Sequence, residues 1–517
     1  MPGRQTEYLS REKGKNIPRV SVESFPPSYD LRTKNKLTSV KNQANCGSCW
    51  AFATYASLES FLLPSENWDF SEQNLIDKHE FDYGPCVGGH IYMSTAYLSR
   101  WSGPIKEEDD PYIYSSSGLT VRKHVQDVIF ILPRPGYLAN DIIKETIMNH
   151  GAIYASMYYV SSFYNLVNRA YYNSGTKEGG HAVAIVGWDD NFDRNKFNTP
   201  PPGNGAFIVK NSWGTTWGES GYFYVSYYDE FLAKRDLSAA VKAETPTNYQ
   251  VVYQYDPLGW ISSLGYGVET AWFANIFTAN STFPLTAVGF YASSALSSYE
   301  IFIYTDVTDE QPRSGALVSV KSGNLTSPGY FTIPLDRSVS LKVNQKFSVV
   351  VRLSTGNYNY PIPFERPLSN YSSRATANAG ESFISYDGVA WSDLHTSWDG
   401  RYRNSNVCLK AYAGYPPLYP PSGVALQRLE NNFVFFKEYI NRLTWQANPQ
   451  NKTNVIAYRI YRKNRGAADK TFQLIAEVTN SVFMYDDRGL KKTDFYSYWL
   501  TAVDDYGRES EPATVSN

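Results

Sequence analysis

Cysteine is scarce, four in 517 residues. That is too few for a disulfide-dense scaffold, though enough for one bridge. No run of about 18 apolar residues occurs, so no spanning helix is expected. Neither sign of charge dominates. Lys and Arg number 48 against 50 Asp and Glu, a net charge of -2, which gives no electrostatic ground for nucleic acid or an anionic membrane as partner. The opening segment MPGRQTEYLSREKGKN is polar and lacks the apolar stretch of a signal peptide, so an exported protein would have lost that signal. Internal repeats and low-complexity tracts are missing as well.

The length corresponds to about three domains. Hydrophobic residues make up 42% and charged residues 19%, which excludes wholesale disorder. Aromatics reach 16%, with 42 Tyr, a bias that favours β-structure and binding surfaces. Residues 25–240 mix helix and strand patterns. DIIKETIMNH (141–150) sets Ile142, Ile143, Ile147 and Met148 on one side of a helix. AFATYASLESFLL (51–63) reads as a buried helix stopped by Pro64. Ser71 can cap a further helix, with Phe70 stapled onto Leu75.

Over residues 245–414 helix signals give way to short alternating runs such as YEIFIYTD (299–306), KFSVVVRL (346–353) and NVCLKAYA (406–413), the pattern of a jelly roll or sandwich. YPPLYPPSG (415–423) is a stiff Pro-rich linker. Residues 424–517 carry strand signals fitting a small immunoglobulin-like sandwich. Residues 1–24 are left as an N-terminal extension or propeptide remnant.

The chemistry concentrates in QANCGSCWAF (43–52). A cysteine nucleophile needs thiolate character, which the positive end of a helix and a nearby imidazolium both favour. Cys49 stands where Gly47-Ser48 leads into the 50–63 helix. Six histidines are present, and only His181 lies in a strand-like run among small residues, GGHAVAIVGW (179–188). A group to orient it is offered by KNSWG (210–214), with Asn211 backed by Trp213.

These blocks, with FSEQNLID (70–77), CVGG (86–89) and KNSWGTTWGESGYF (210–223), resemble the papain family of cysteine peptidases, in the family's order and over about residues 25–240. The resemblance implies an α+β catalytic domain with a helical and a β-barrel-like subdomain. It assigns Cys49 as nucleophile, His181 as general base and then acid, Asn211 as the residue orienting His181, and Trp213 as its shield. The Gln43 amide and the Cys49 N–H become the oxyanion hole. Gly88 and Gly89 become the segment that pairs with an extended peptide, with His90, Ile91, Gly179, Gly180 and Ala182 bordering the second subsite. Cys46 and Cys86 match one family disulfide, and Lys78 stands where many relatives carry another cysteine. The implied reaction is thiol-dependent endopeptidase hydrolysis of a peptide or protein, needing no metal or organic cofactor.

Cys46-Gly-Ser-Cys49 also reads as a redox dithiol or half a zinc site, but no second cysteine pair exists and His181, Asn211 and Gln43 would go unexplained. Asp189–Asp193 alternates oxygen ligands like a calcium loop, yet Arg194 takes the position where such a loop needs Gly. Residues 245–414 resemble the lectin-like β domain that follows the peptidase in some prokaryotic cell-surface members. Trp391 with Asp393 is a candidate sugar-stacking pair there, set against the reading that such aromatics are core. Residues 419–517 resemble a fibronectin type III domain, with Trp445 as core Trp and Tyr496 as corner tyrosine. The expectation is a monomeric, secreted or cell-surface peptidase whose β domains contact a glycan or surface ligand. The alternative is an adhesion or glycan-binding protein with a vestigial peptidase unit.

Overall fold

The computed structural model describes residues 25–112, 118–308, 310–397, 400–451, 453–465 and 472–516; the expectation for residues 1–24 lies outside them. The chain forms two compact units. One runs to Leu335 and resumes over Ser340–Ala413; the other comprises Asp336–Val339 and the chain from Gly414 onward.

In the first unit, helix α1 (Cys49–Leu62) is mostly apolar or small, Glu59 excepted, and is buried nearly throughout. That composition suits a central helix and no other place. Two of its hydroxyls tie it to itself and to neighbouring segments. Thr54 donates to the Trp50 carbonyl (2.8 Å), and Ser60 donates to the Lys36 carbonyl (2.6 Å) while accepting from the Ala152 N–H (2.8 Å). Helices α2 (Glu72–Lys78) and α3 (Ile91–Ser99) share its core cluster. Ser71 caps α2 through the Asn74 N–H at 3.0 Å, and Phe70 and Leu75 are both fully buried.

Helix α4 (Asp141–His150) departs from the sequence reading. Ile143 and Ile147 are buried, but Ile142 and Met148 are 45% and 44% exposed. Four apolar residues at these positions span too wide an arc for one contact. The i,i+4 pair wins the core, and Lys144 turns from the same face to bond Asp190 at 2.7 Å.

Strands Ile153–Tyr158, Gly180–Asp189, Ala206–Lys210 and Tyr222–Ser226 pair antiparallel against α1. Their sheet does not stop at residue 240. Strand His124–Ile131 pairs Ser238–Glu244 on one side and Gly329–Phe331 on the other, so a single 13-stranded sheet runs on into the lectin-like region. The alternating runs 299–306 and 346–353 fall on strands, as read, and a six-stranded antiparallel sheet completes that region.

Trp391 and Asp393 are not a free sugar-binding pair. Trp391 packs partly buried against an aromatic core cluster. Asp393 is buried, accepting from the Gly380 N–H (2.7 Å) and the His395 N–H (2.8 Å). Its carboxylate is occupied in tying loops together.

In the second unit, three strands (422–432, 437–446, 484–490) and four strands (473–479, 455–464, 496–504, 513–516) form two antiparallel sheets. Trp445 is in the core. The Tyr496 hydroxyl bonds Asp494 in the turn before its strand, and Tyr498 is anchored as well, donating to Asp487 at 2.6 Å and accepting from Asn441 at 2.7 Å. Two residues apart, both side chains lie on the inward face of the strand; Tyr498 is fully buried, while Tyr496, at the strand's first position, is half-buried under Arg462.

Candidate active site

Cys49 is the first residue of α1, with Ser48 as N-cap, so its sulfur lies at the positive end of that helix. The Ala182 N–H donates to the Cys49 Sγ at 3.4 Å, which brings the nucleophile candidate to the residue beside His181. Burial pushes the thiol up, opposed by backbone N–H donors from Ala182, Trp50 and Cys49 itself. Burial also pushes His181 down to about 4, opposed by its bond to Asn211. Each charge alone is disfavoured here, so a thiolate–imidazolium pair depends on mutual attraction in a low-dielectric site.

Two adjacent antiparallel strands hold the imidazole. His181 opens the Gly180–Asp189 strand, and Ala184 pairs with Lys210, the residue before Asn211. Asn211 Oδ1 accepts from His181 Nε2 at 2.8 Å and from the Ser212 N–H at 2.8 Å. The second bond fixes which way the amide points. With Nε2 donating, Nδ1 carries the free lone pair that a base needs. The Trp213 ring stacks over the imidazole at 4.7 Å and is braced edge-on by Tyr159 and Trp217.

Gln43 is held at both ends. Its Nε2 donates to the Cys46 carbonyl (2.8 Å), and its Oε1 accepts from the Ser212 hydroxyl (2.6 Å). One amide hydrogen is left over. Sequence reading missed Ser212 and Tyr112, whose hydroxyl donates to the Gln43 carbonyl at 2.9 Å and shares a 2.7 Å bond with Ser48. Ser212 was in plain sight inside KNSWG, but only coordinates show which neighbour it serves. Also missed was an ionic cluster behind α1, with Glu59 and Glu72 buried and Asp69 exposed. There Lys41 meets Asp69 (2.6 Å), Glu72 (2.9 Å) and Glu59 (3.4 Å).

Cys46 and Cys86 are disulfide-bonded. The Gly47 N–H donates to the Cys86 carbonyl at 3.2 Å, and a Cβ on Gly47 would come within 2.5 Å of that oxygen. A Cβ on Gly89 would lie 2.3 Å from the Trp50 indole. Gly89 is therefore demanded by packing from below, whatever passes above it. The bridge spans 40 residues. In the chain-entropy treatment, replacing both cysteines by serine should cost about 4 kcal/mol, readable as a lower urea midpoint, with a steeper slope because the unfolded chain expands.

The remaining subsite expectations divide. Gly179 and Gly180 are exposed, and Ala182 is buried with its N–H on the sulfur. Ile91 is buried in the helical core. The His90 ring is turned to the lectin-like region, with Nε2 3.0 Å from the Tyr371 hydroxyl.

Residues 25–241 match the family described as papain family cysteine protease, and residues 252–413 match the lectin-like domain family. The chain thus carries a papain-family cysteine peptidase domain followed by a lectin-like domain. A viral cathepsin of Lymantria dispar multicapsid nuclear polyhedrosis virus is 32% identical over 241 residues, covering 43% of this chain and 63% of that protein. Mouse cathepsin F is 32% identical over 235 residues, 42% and 46% of the two chains. The chain thus spans less than two thirds of the length of these curated relatives.

Among solved structures it is similar to the clostridial cysteine protease Cwp84 after propeptide cleavage. The TM-score is 0.67 with 26% identity, over 75% of this chain and 99% of that one. It is also similar to the cysteine protease and lectin-like domains of Cwp84, a surface layer associated protein of Clostridium difficile, with a TM-score of 0.65 and 25% identity over 77% and 91%.

Proposed function

We propose that this chain is a thiol-dependent endopeptidase. The observation that carries the reading is the chain of contacts Asn211 Oδ1 to His181 Nε2, then Ala182 N–H to Cys49 Sγ. Cys49 Sγ attacks the scissile carbonyl carbon while its proton passes to His181 Nδ1. The developing oxyanion takes the free Gln43 amide hydrogen and the Cys49 N–H. The imidazolium then returns its proton to the departing amine, leaving a thioester. Water, deprotonated by His181, releases the acid and restores the thiol. Gly88 and Gly89 pair with the backbone on the acyl side.

The β domains serve targeting. Residues 424–517 are read as a fibronectin type III sandwich. Its hairpin tip Phe433–Phe436, with Phe435 96% exposed, gives that unit an apolar contact surface. A structural disulfide suits an oxidising compartment, which supports a secreted or surface location, in keeping with the surface-layer association of Cwp84.

Stoichiometric alkylation tests the reading. Iodoacetamide should consume one thiol and stop hydrolysis of a fluorogenic peptide, with the adduct mapping to Cys49. The other free cysteine, Cys408, is fully buried. Full activity after labelling Cys49 would end the proposal.

A further inference from the structure

The lectin-like region reaches the peptidase at one place close to the Cys86–Gly89 segment. The Tyr371 ring lies against Phe81 (5.0 Å), Tyr83 (5.8 Å) and His90 (5.6 Å), and its hydroxyl bonds His90. The Asp82 N–H donates to the Tyr371 carbonyl at 2.9 Å. Ser373 answers with its N–H (3.1 Å) and hydroxyl (2.8 Å) on the two Asp82 carboxylate oxygens. Ser372 locks the turn internally, accepting from the Leu368 N–H and donating to the Arg366 carbonyl. Two segments almost 300 residues apart are thus fixed against each other through backbone and side chain alike.

Between them lies a groove of about 610 Å³, with Tyr83, Gly84 and Val87 on one wall and Ser369 and Asn370 on the other. Val87, an apolar side chain 74% exposed, stands at the groove's edge directly before Gly88-Gly89. Asp82 is the one formal charge among the lining residues, and both its oxygens are already engaged by Ser373. Those bonds leave its negative charge in place, so the walls offer apolar surface, neutral hydrogen-bonding groups and one carboxylate that would repel an acidic side chain.

We propose that this groove is a substrate subsite built jointly by the two domains. It receives an uncharged, apolar side chain of an extended peptide, upstream of the residue that pairs with Gly88-Gly89. The proposal rests on the endopeptidase reading. It gives the lectin-like domain a part in peptide recognition, which no sugar-binding surface is needed to explain. An extended chain advances about 3.3 Å per residue, so a peptide lying along Gly89 and Gly88 leads directly to Val87 and into the groove.

The test compares three fluorogenic substrates under mild reductant: a short peptide ending before the groove, the same peptide extended upstream by leucine, and one extended by aspartate. The leucine extension should raise kcat/KM about tenfold, in the range a well-fitting apolar group supplies, and the aspartate extension should not. Ser369→Trp, an exposed turn position, fills the groove from the lectin-like side. Val87→Ser removes its apolar edge from the peptidase side. Both should lose the leucine gain while cleaving the short substrate like the parent. A leucine gain that persists in both variants, or an equal gain from aspartate, overturns the subsite. Absence of turnover of the short substrate by the parent overturns the endopeptidase reading itself, and the subsite with it.

Discussion

Cys49→Ala should lower kcat/KM on a peptide substrate by something on the order of 10⁵-fold or more, the scale seen when a covalent nucleophile is removed, while the fold stays intact. Alanine is a good helix former, and the thiol's hydrogen bonds come from backbone N–H groups alone, that of Ala182 at 3.4 Å. A small loss would mean that the sulfur is a spectator, and equal rates would favour the adhesion reading. The parent's acid limb should fall near pH 4. His181 is held down to about 4 by burial, so it is free to accept the thiol proton above that value and loses the capacity below it. If the pair is ionised instead, the same limb reports the pair rather than either residue. A limb near the ordinary histidine value of about 6.5 would show that His181 is open to water, and that Trp213 does not shield it.

The parts of this site that were legible in the sequence are the ones whose geometry is set locally. Cys49 follows a Gly-Ser turn into a helix, and Asn211 and His181 stand at the ends of paired strands. Short motifs encode such placements completely. Less legible were contacts made across the chain. Tyr371 meets His90 from 281 residues away, and nothing in NYSS announces it. Gly89 was read as room for a substrate backbone, whereas its lower face is filled by Trp50. Trp391 and Asp393 looked like a ligand pair because sequence shows residue types but not which polar atoms are already occupied. Tyr496 and Tyr498 differ by one strand period and share a face, and only their position along the strand decides which lies deeper in the core. The domain boundary near 240 was blurred by a strand pairing, Asp127–Ile129 with Gly329–Phe331, that composition cannot signal.

Glu72 shows how burial changes the meaning of a residue that sequence reads as a helix-start carboxylate. It is fully buried, and one carboxylate oxygen bonds Lys41 at 2.9 Å while the other has no hydrogen-bond partner among the described residues. Lys41 is shared with Asp69 and Glu59, and Lys210, which also faces these carboxylates, is itself pushed down to about 8 by burial, so the two ammonium groups do not neutralise all three carboxylates. Burial therefore dominates at Glu72 and pushes it up to about 8. The folded state then holds a proton at Glu72 across roughly pH 4.5 to 8 that the unfolded chain has released. The stability drawn from this site is complete below about pH 4.5 and drains away as the pH rises through 8. Glu72→Gln keeps the shape and an acceptor for Lys41 but cannot ionise. Its stability relative to the parent should therefore improve between pH 5 and pH 8 by a few kcal/mol, at about 1.4 kcal/mol per pKa unit, in urea unfolding at the two pH values. Because the cluster packs behind α1 and the Lys210–Ser212 turn, a wall it shares with Ala182 and Asn211, the same substitution should leave the acid limb of activity near pH 4. A parent-to-variant difference that does not change with pH would mean that Glu72 is ionised in the fold, and that Lys41 neutralises it after all.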